Sequence, residues 1–185
     1  MTPTHTLADP RVKAALGRMF ANAAHDETTA ARVRAEHGGI MPVTPREHAD
    51  AAAQIYMPIS AAGGQLLYAL VRATRPATVV EFGMSFGIST LHLAAAVRDN
   101  GTGRVLTTEL NKDKVVAARR TFVETGLDDL ITVLEGDARY TLAGMDGSAD
   151  FVLLDGWKEL CLPVLRILEP RLKPGTLVVA DDVEL

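Results

Sequence analysis

From Ala77 onward the chain alternates short apolar runs with segments of helical length, and this rhythm limits the fold more than any other feature. The runs are Thr78–Phe82, Arg104–Thr108, Leu130–Leu134, Phe151–Leu154 and Thr176–Ala180. Ile88–Arg98 separates the first two. Lys112–Thr125 separates the second from the third, with Asn111 placed to cap that helix and Gly126 to stop it. Apolar strands joined through helices require right-handed crossovers. The expectation is an α/β fold with a doubly wound, mainly parallel sheet.

Residues 1–75 have a different texture, Ala-rich and helical. Asp9-Pro10 reads as an N-cap followed by proline at the first helical position. Thr44-Pro45-Arg46-Glu47 reads as a capping box. Ser60 can cap a helix whose Leu66, Leu67, Leu70 and Val71 form one apolar stripe. Gly38-Gly39 and Met41-Pro42 read as loops. This segment is expected to belong to the same domain as residues 76–185 and to serve as a lid or a dimer element. Amphipathic helices outside a sheet need a partner surface, so a homodimer is expected.

With 185 residues, 48% of them hydrophobic, the chain suits one domain with a sizeable core. A formal charge of −4 and the lack of any Lys/Arg cluster give no electrostatic reason to expect nucleic acid. The single Cys161 points to a reducing compartment. The N-terminus lacks the basic and apolar blocks of a signal peptide, and no run of about 18 apolar residues marks a membrane span. A cytoplasmic protein is the expectation.

Function is expected at the carboxyl edge of the sheet, where open α/β sheets bind their ligands. The first strand–helix turn reads Glu81-Phe82-Gly83-Met84-Ser85-Phe86-Gly87-Ile88-Ser89. It is not the dinucleotide fingerprint, which counted from Gly83 needs glycine where Ser85 and Ile88 stand. Glu109 ends the second strand, where a carboxylate can accept from both hydroxyls of a ribose. Gly136-Asp137-Ala138 ends the third, where Asp137 can accept from an adenine amino group. Each acid could instead cap the next helix. Asp155-Gly156-Trp157-Lys158 ends the fourth strand and Ala180-Asp181-Asp182 the fifth. Three carboxylates and a lysine at one edge suit a hard cation with a base beside it.

Taken together, these turns resemble the class I S-adenosylmethionine-dependent methyltransferases, with their Rossmann-like fold. Within that class they resemble the cation-dependent O-methyltransferases that act on catechols or caffeoyl-CoA. The resemblance runs from about Met57 to Val183. It rests on Glu81-x-Gly83-x-x-x-Gly87-x-Ser89, Thr108-Glu109-Leu110-Asn111, Asp155-x-Trp157-Lys158 and Ala180-Asp181-Asp182-Val183. It implies a soluble enzyme that moves a methyl group to one hydroxyl of a catechol-like small molecule. It also implies cofactor residues: Glu81 and Gly83 at the methionine end, Ser89 near the carboxylate, Glu109 on the ribose, and Asp137 with Ala138 at the adenine. Met57 and Ile59 would pass over the cofactor, and Asp155 would border it. Asp155, Asp181 and Asp182 would hold the metal, Lys158 would be the general base, and Trp157 would wall the substrate.

Two departures stand out. The family usually has asparagine where this chain has Asp182, and a third carboxylate could favour Ca²⁺ or Mn²⁺ over Mg²⁺. The family's sheet also continues beyond the fifth strand, so this sequence is expected to lack a C-terminal portion. Two other readings stay open: a metal-independent methyltransferase of the same fold, and a non-catalytic protein that binds S-adenosylmethionine or S-adenosylhomocysteine.

Overall fold

A computed structural model describes residues 5–36 and 42–181. Among the described residues four α-helices precede the sheet: α1 (Pro10–Ala23), α2 (Asp26–Glu36), α3 (Pro45–Ala51) and α4 (Ala61–Thr74). Their starts follow the local chemistry of the sequence. Asp9 accepts from the Arg11 amide at 2.8 Å with Pro10 at the first helical position, and Ser60 Oγ accepts from the Gly63 amide at 2.9 Å. At α3 the capping box is complete, with Thr44 Oγ1 accepting from the Glu47 amide and Glu47 Oε2 accepting from the Thr44 amide. Thr44→Ala is expected to lower stability by about 1 kcal/mol, read as a fall in the urea midpoint with an unchanged slope.

The remaining elements alternate strictly. They are β1 (Thr78–Phe82), α5 (Ile88–Asn100), β2 (Arg104–Glu109), α6 (Lys112–Thr125), β3 (Ile131–Glu135), the one-turn α7 (Ala138–Thr141), β4 (Ala149–Leu154), α8 (Lys158–Leu168) and β5 (Leu172–Ala180). The five strands among the described residues are all parallel, in the order β3-β2-β1-β4-β5. The strand order reverses at β1, which places a crevice beyond the ends of β1, β2 and β4.

Alternation along the strands divides the core in two. Val79, Val105, Phe151 and Leu153 face one side with the buried faces of α1, α4, α5 and α6. Val80, Phe82, Leu106, Val152 and Leu154 face the other, against Leu142 and the Leu160, Val164 and Leu168 stripe of α8. Every residue of α5 from Ile88 to Val97 is buried, because the sheet lies on one side of this helix and α4 and α1 pack on it from outside. By contrast α2 buries no residue.

Four strands differ from the sequence expectation: β2 runs one residue further, to Glu109, and β4 starts two residues earlier, at Ala149. One turn of 3₁₀ helix takes up Asp128–Leu130, so β3 starts and ends one residue later. Strand β5 begins at Leu172 rather than Thr176, since a register shift between Ala149 and Phe151 lets Leu172 pair before the regular ladder resumes at Leu177. No helix among the described residues is long and apolar enough to cross a membrane.

Candidate active site

A cavity of about 400 Å³ lies at the carboxyl ends of β1, β2 and β4, in the range of small-ligand pockets. Its floor is the β1–α5 turn, held tightly against β2. The Met84 amide donates to Thr108 O at 2.9 Å and the Ser85 amide to Glu109 Oε2 at 2.9 Å. This geometry needs left-handed backbone at Gly83 (φ 100°), Ser85 (φ 49°) and Gly87 (φ 93°).

Glu109 is the best-prepared acceptor in the wall. Its Oε1 accepts from the Asn111 amide at 2.7 Å and its Oε2 from Ser85, so the carboxylate is aimed before any ligand arrives. Burial pushes its pKa up, and the amides of Asn111, Ser85 and Leu110 together with the charge of Lys114 oppose that rise. Asp137 also borders the cavity, but its carboxylate caps α7 through the Arg139 amide (2.9 Å) and pairs with the Arg139 guanidinium (2.6 Å). The hydrogen bond from the Arg139 side chain is the main cause holding its pKa below the usual range.

The strap formed by residues 55–60 crosses the cavity and brings Met57 and Ile59 into its wall. Asp26 fixes it, accepting from the Tyr56 and Met57 amides at 2.9 and 2.8 Å. The Tyr56 ring stacks on Phe86 with centroids 4.1 Å apart, and Ser85 Oγ donates to Tyr56 O at 2.6 Å. Helix α3 leans over the same opening. Arg46 Nη1 donates to Leu110 O at 3.0 Å, and the His48 ring lies 5.0 Å from the Trp157 ring.

Asp155 and Asp181 continue the ladder beyond the register pair Leu154–Ala180. The Asp155 amide donates to Phe82 O at 2.8 Å and the Asp181 amide to Leu154 O at 3.0 Å. The two residues thus lie side by side at the ends of neighbouring strands, Asp155 bordering the cavity and Asp181 not. Asp182 lies outside the described residues, and among those described no group of three or more His, Cys, Asp or Glu could hold a metal. Trp157 and Lys158, at the start of α8, stand on the cavity wall beside Asp155.

Gly83, Ser89, Glu109, Asp137, Ala138, Asp155, Trp157 and Lys158 all border this one cavity, with Met57 and Ile59 from the strap. Glu81 does not. It shares strand parity with Val79 and points under the turn toward α5, fully buried. Its Oε2 accepts from Thr90 Oγ1 at 2.5 Å and from Thr107 Oγ1, while Oε1 has no hydrogen-bond partner among the described residues. Burial pushes this carboxyl up, against the hydroxyls of Ser89, Thr107 and Thr90.

One wall residue was not anticipated. Lys114, only 2% exposed, donates from Nζ to Ser85 Oγ at 3.0 Å and lies 5.2 Å from the centre of the Phe86 ring. It shares the inward stripe of α6 with Ala118 and Phe122, and a charge on that stripe was the available signal.

Residues 80–183 match the family described as a methyltransferase domain. The chain belongs to that family. Catechol O-methyltransferase of Sus scrofa is 32% identical over 127 residues, covering 65% of this chain and 67% of that protein. A putative O-methyltransferase from Klebsiella pneumoniae superposes with a TM-score of 0.66 at 27% identity, covering 85% of this chain and 74% of that one. An O-methyltransferase from Streptomyces achromogenes, solved in complex with S-adenosylmethionine, shares the fold with a TM-score of 0.64 at 24% identity, covering 76% and 66%. The chain spans about half to two thirds of the length of the curated relatives it matches. Its five-stranded parallel sheet is the Rossmann-like sheet of these methyltransferases.

Proposed function

We propose that this chain is an S-adenosylmethionine-dependent O-methyltransferase that methylates one hydroxyl of a small catechol-like molecule with the help of a divalent cation. The observation that carries the reading is the shared wall of one cavity. A preset ribose acceptor, Glu109, stands on one side, and Asp155, Trp157 and Lys158 stand on the other. Family membership and O-methyltransferase relatives support it further.

Glu109 would accept from the ribose hydroxyls, Ala138 would pack against the adenine, and Ser89, at the start of α5, would meet the carboxylate of the methionyl part. Met57 and Ile59 would cover the cofactor from the strap and exclude water. When bound, the cofactor supplies an electrophilic methyl on a sulfonium. Asp155 and Asp181, with Asp182, would hold the cation, Mg²⁺ first among candidates, which lowers the pKa of a hydroxyl placed on it. Lys158 Nζ would take the proton from that hydroxyl. Trp157, braced by His48 on α3, would orient the flat substrate so that oxygen and methyl meet in line, and the N-terminal helices would act as the lid.

The test is methyl transfer from S-adenosylmethionine to a panel of catechols, with Mg²⁺ and with EDTA. Turnover with Mg²⁺ that falls at least about a hundredfold with EDTA is the expected result. Turnover indifferent to EDTA would favour the metal-independent alternative, and no turnover with any catechol would contradict the substrate class.

A further inference from the structure

Lys114 is a costly residue to bury, held by one hydrogen bond to Ser85 and the face of Phe86. Burial pulls its pKa down to about 8, although the charges of Glu109 and Asp26 favour the ammonium. An ammonium has three donors, and among the described residues only Ser85 Oγ takes one. The cavity is the remaining direction open to it. Ser85 Oγ in turn donates to Tyr56 O on the strap, while the Ser85 amide donates to Glu109. Ser85 therefore joins the strap through its hydroxyl and the ribose acceptor through its amide, and Lys114 is bonded to that hydroxyl.

Resting on the methyltransferase reading, we propose that Lys114 is a positioning residue for the nucleoside end of the site, its ammonium setting the charge and, through Ser85, the orientation of Glu109. Glu109 must be a carboxylate to accept from two hydroxyls, because a protonated acid would itself be a donor. Burial works against that state and the nearby ammonium works for it. Other charged groups around Glu109 do not replace it. Glu81 on β1 is a second carboxyl and offers no counter-charge, and Glu135, the register partner of Glu109 on β3, pairs with Lys112 at 4.0 Å. Arg46 on α3 is committed to Leu110 O, and Asp26 on α2 lies on the Lys114 side.

The test is calorimetric titration of S-adenosylhomocysteine into the wild-type protein, Lys114→Met and Lys114→Gln between about pH 6 and pH 8. Because all three meet the same ligand, its own titration cancels in the comparison. Lys114→Met is expected to bind about tenfold more weakly at pH 7.5, with the deficit widening toward the acid end of the range because Glu109 without the ammonium is the easier to protonate. Lys114→Gln keeps a donor for Ser85 but no charge. It is expected to lose less at pH 7.5 and to show the same widening.

Thermal stability gives an independent readout. A lysine whose pKa is depressed on folding costs stability below pH 8, and that cost fades as the pH rises from 8 toward the unfolded value. Removing the charge should therefore raise the Tm of Lys114→Met at pH 7. Unchanged affinity, a uniform loss with parallel pH profiles and a lower Tm, or failure of both variants to fold would each overturn the proposal. Wild-type protein that does not bind S-adenosylhomocysteine would instead overturn the methyltransferase reading, and this inference with it.

Discussion

Glu109→Gln is expected to weaken binding of S-adenosylhomocysteine by about a hundredfold or more. The substitution keeps the shape of the side chain and removes its charge. Hydrogen bonds to a charged acceptor are worth about 1.5–3 kcal/mol each, and a ribose offers two hydroxyls to this one. A second effect acts in the same direction. Both Glu109 oxygens already accept backbone amides, from Asn111 and Ser85. An amide side chain must turn its own NH₂ toward one of them, so a donor meets a donor and either the β1–α5 turn or the start of α6 shifts. Isothermal titration measures the loss. A change of less than about threefold would mean that Glu109 caps the turn and holds no ligand.

Gly83→Ala is expected to be the most damaging single methyl in the site. At φ 100° a side chain is strained whatever the space around it. A Cβ there would also sit 2.3 Å from Asp155 O and 2.7 Å from the Gly156 amide nitrogen. Those atoms belong to backbone, and β4 cannot withdraw because the Asp155 amide is bonded to Phe82 O. A loss of about 4 kcal/mol or more is expected, with Asp155 displaced from the site at the same time. Gly147→Ala supplies the comparison. Gly147 has φ 84° but nothing within 4 Å of the added atom, so only the conformational cost of about 1–2 kcal/mol applies. Denaturant unfolding of the two variants separates them, and equal losses would show that the close approach to Asp155 is not what requires glycine at Gly83.

Much of this architecture is legible in the sequence because strands buried on both faces read as continuous apolar runs. Thr78–Phe82 coincides with β1, and the Asn111 cap and Gly126 stop bound α6 where the residues themselves indicate. Family membership is legible for a related reason: the acids and glycines fall at strand ends, where local spacing determines what shares an edge.

What was hidden depends on parity or on distance along the chain. Glu81 sits one residue before the turn, and the two-residue period of β1 sends it beneath the sheet edge rather than into the cavity. Lys114 does not stand out in the sequence because a lysine early in a helix normally faces water. Its i, i+4 relation to Ala118 and on to Phe122 placed it on the buried stripe. The hold of Asp26 on Tyr56 and Met57 spans 30 residues or more, and no local pattern announces such a contact. The extra length of β5 follows from a register shift against β4, which is a property of the pair rather than of either segment.

The most direct measurement is a crystal structure of the protein with S-adenosylhomocysteine and Mg²⁺. The expected result is the ribose hydroxyls on the Glu109 carboxylate, the thioether beneath the Met57–Ile59 strap, and the cation between Asp155 and Asp181. A nucleoside bound away from Glu109, or a cavity that stays empty at saturating ligand, would contradict it.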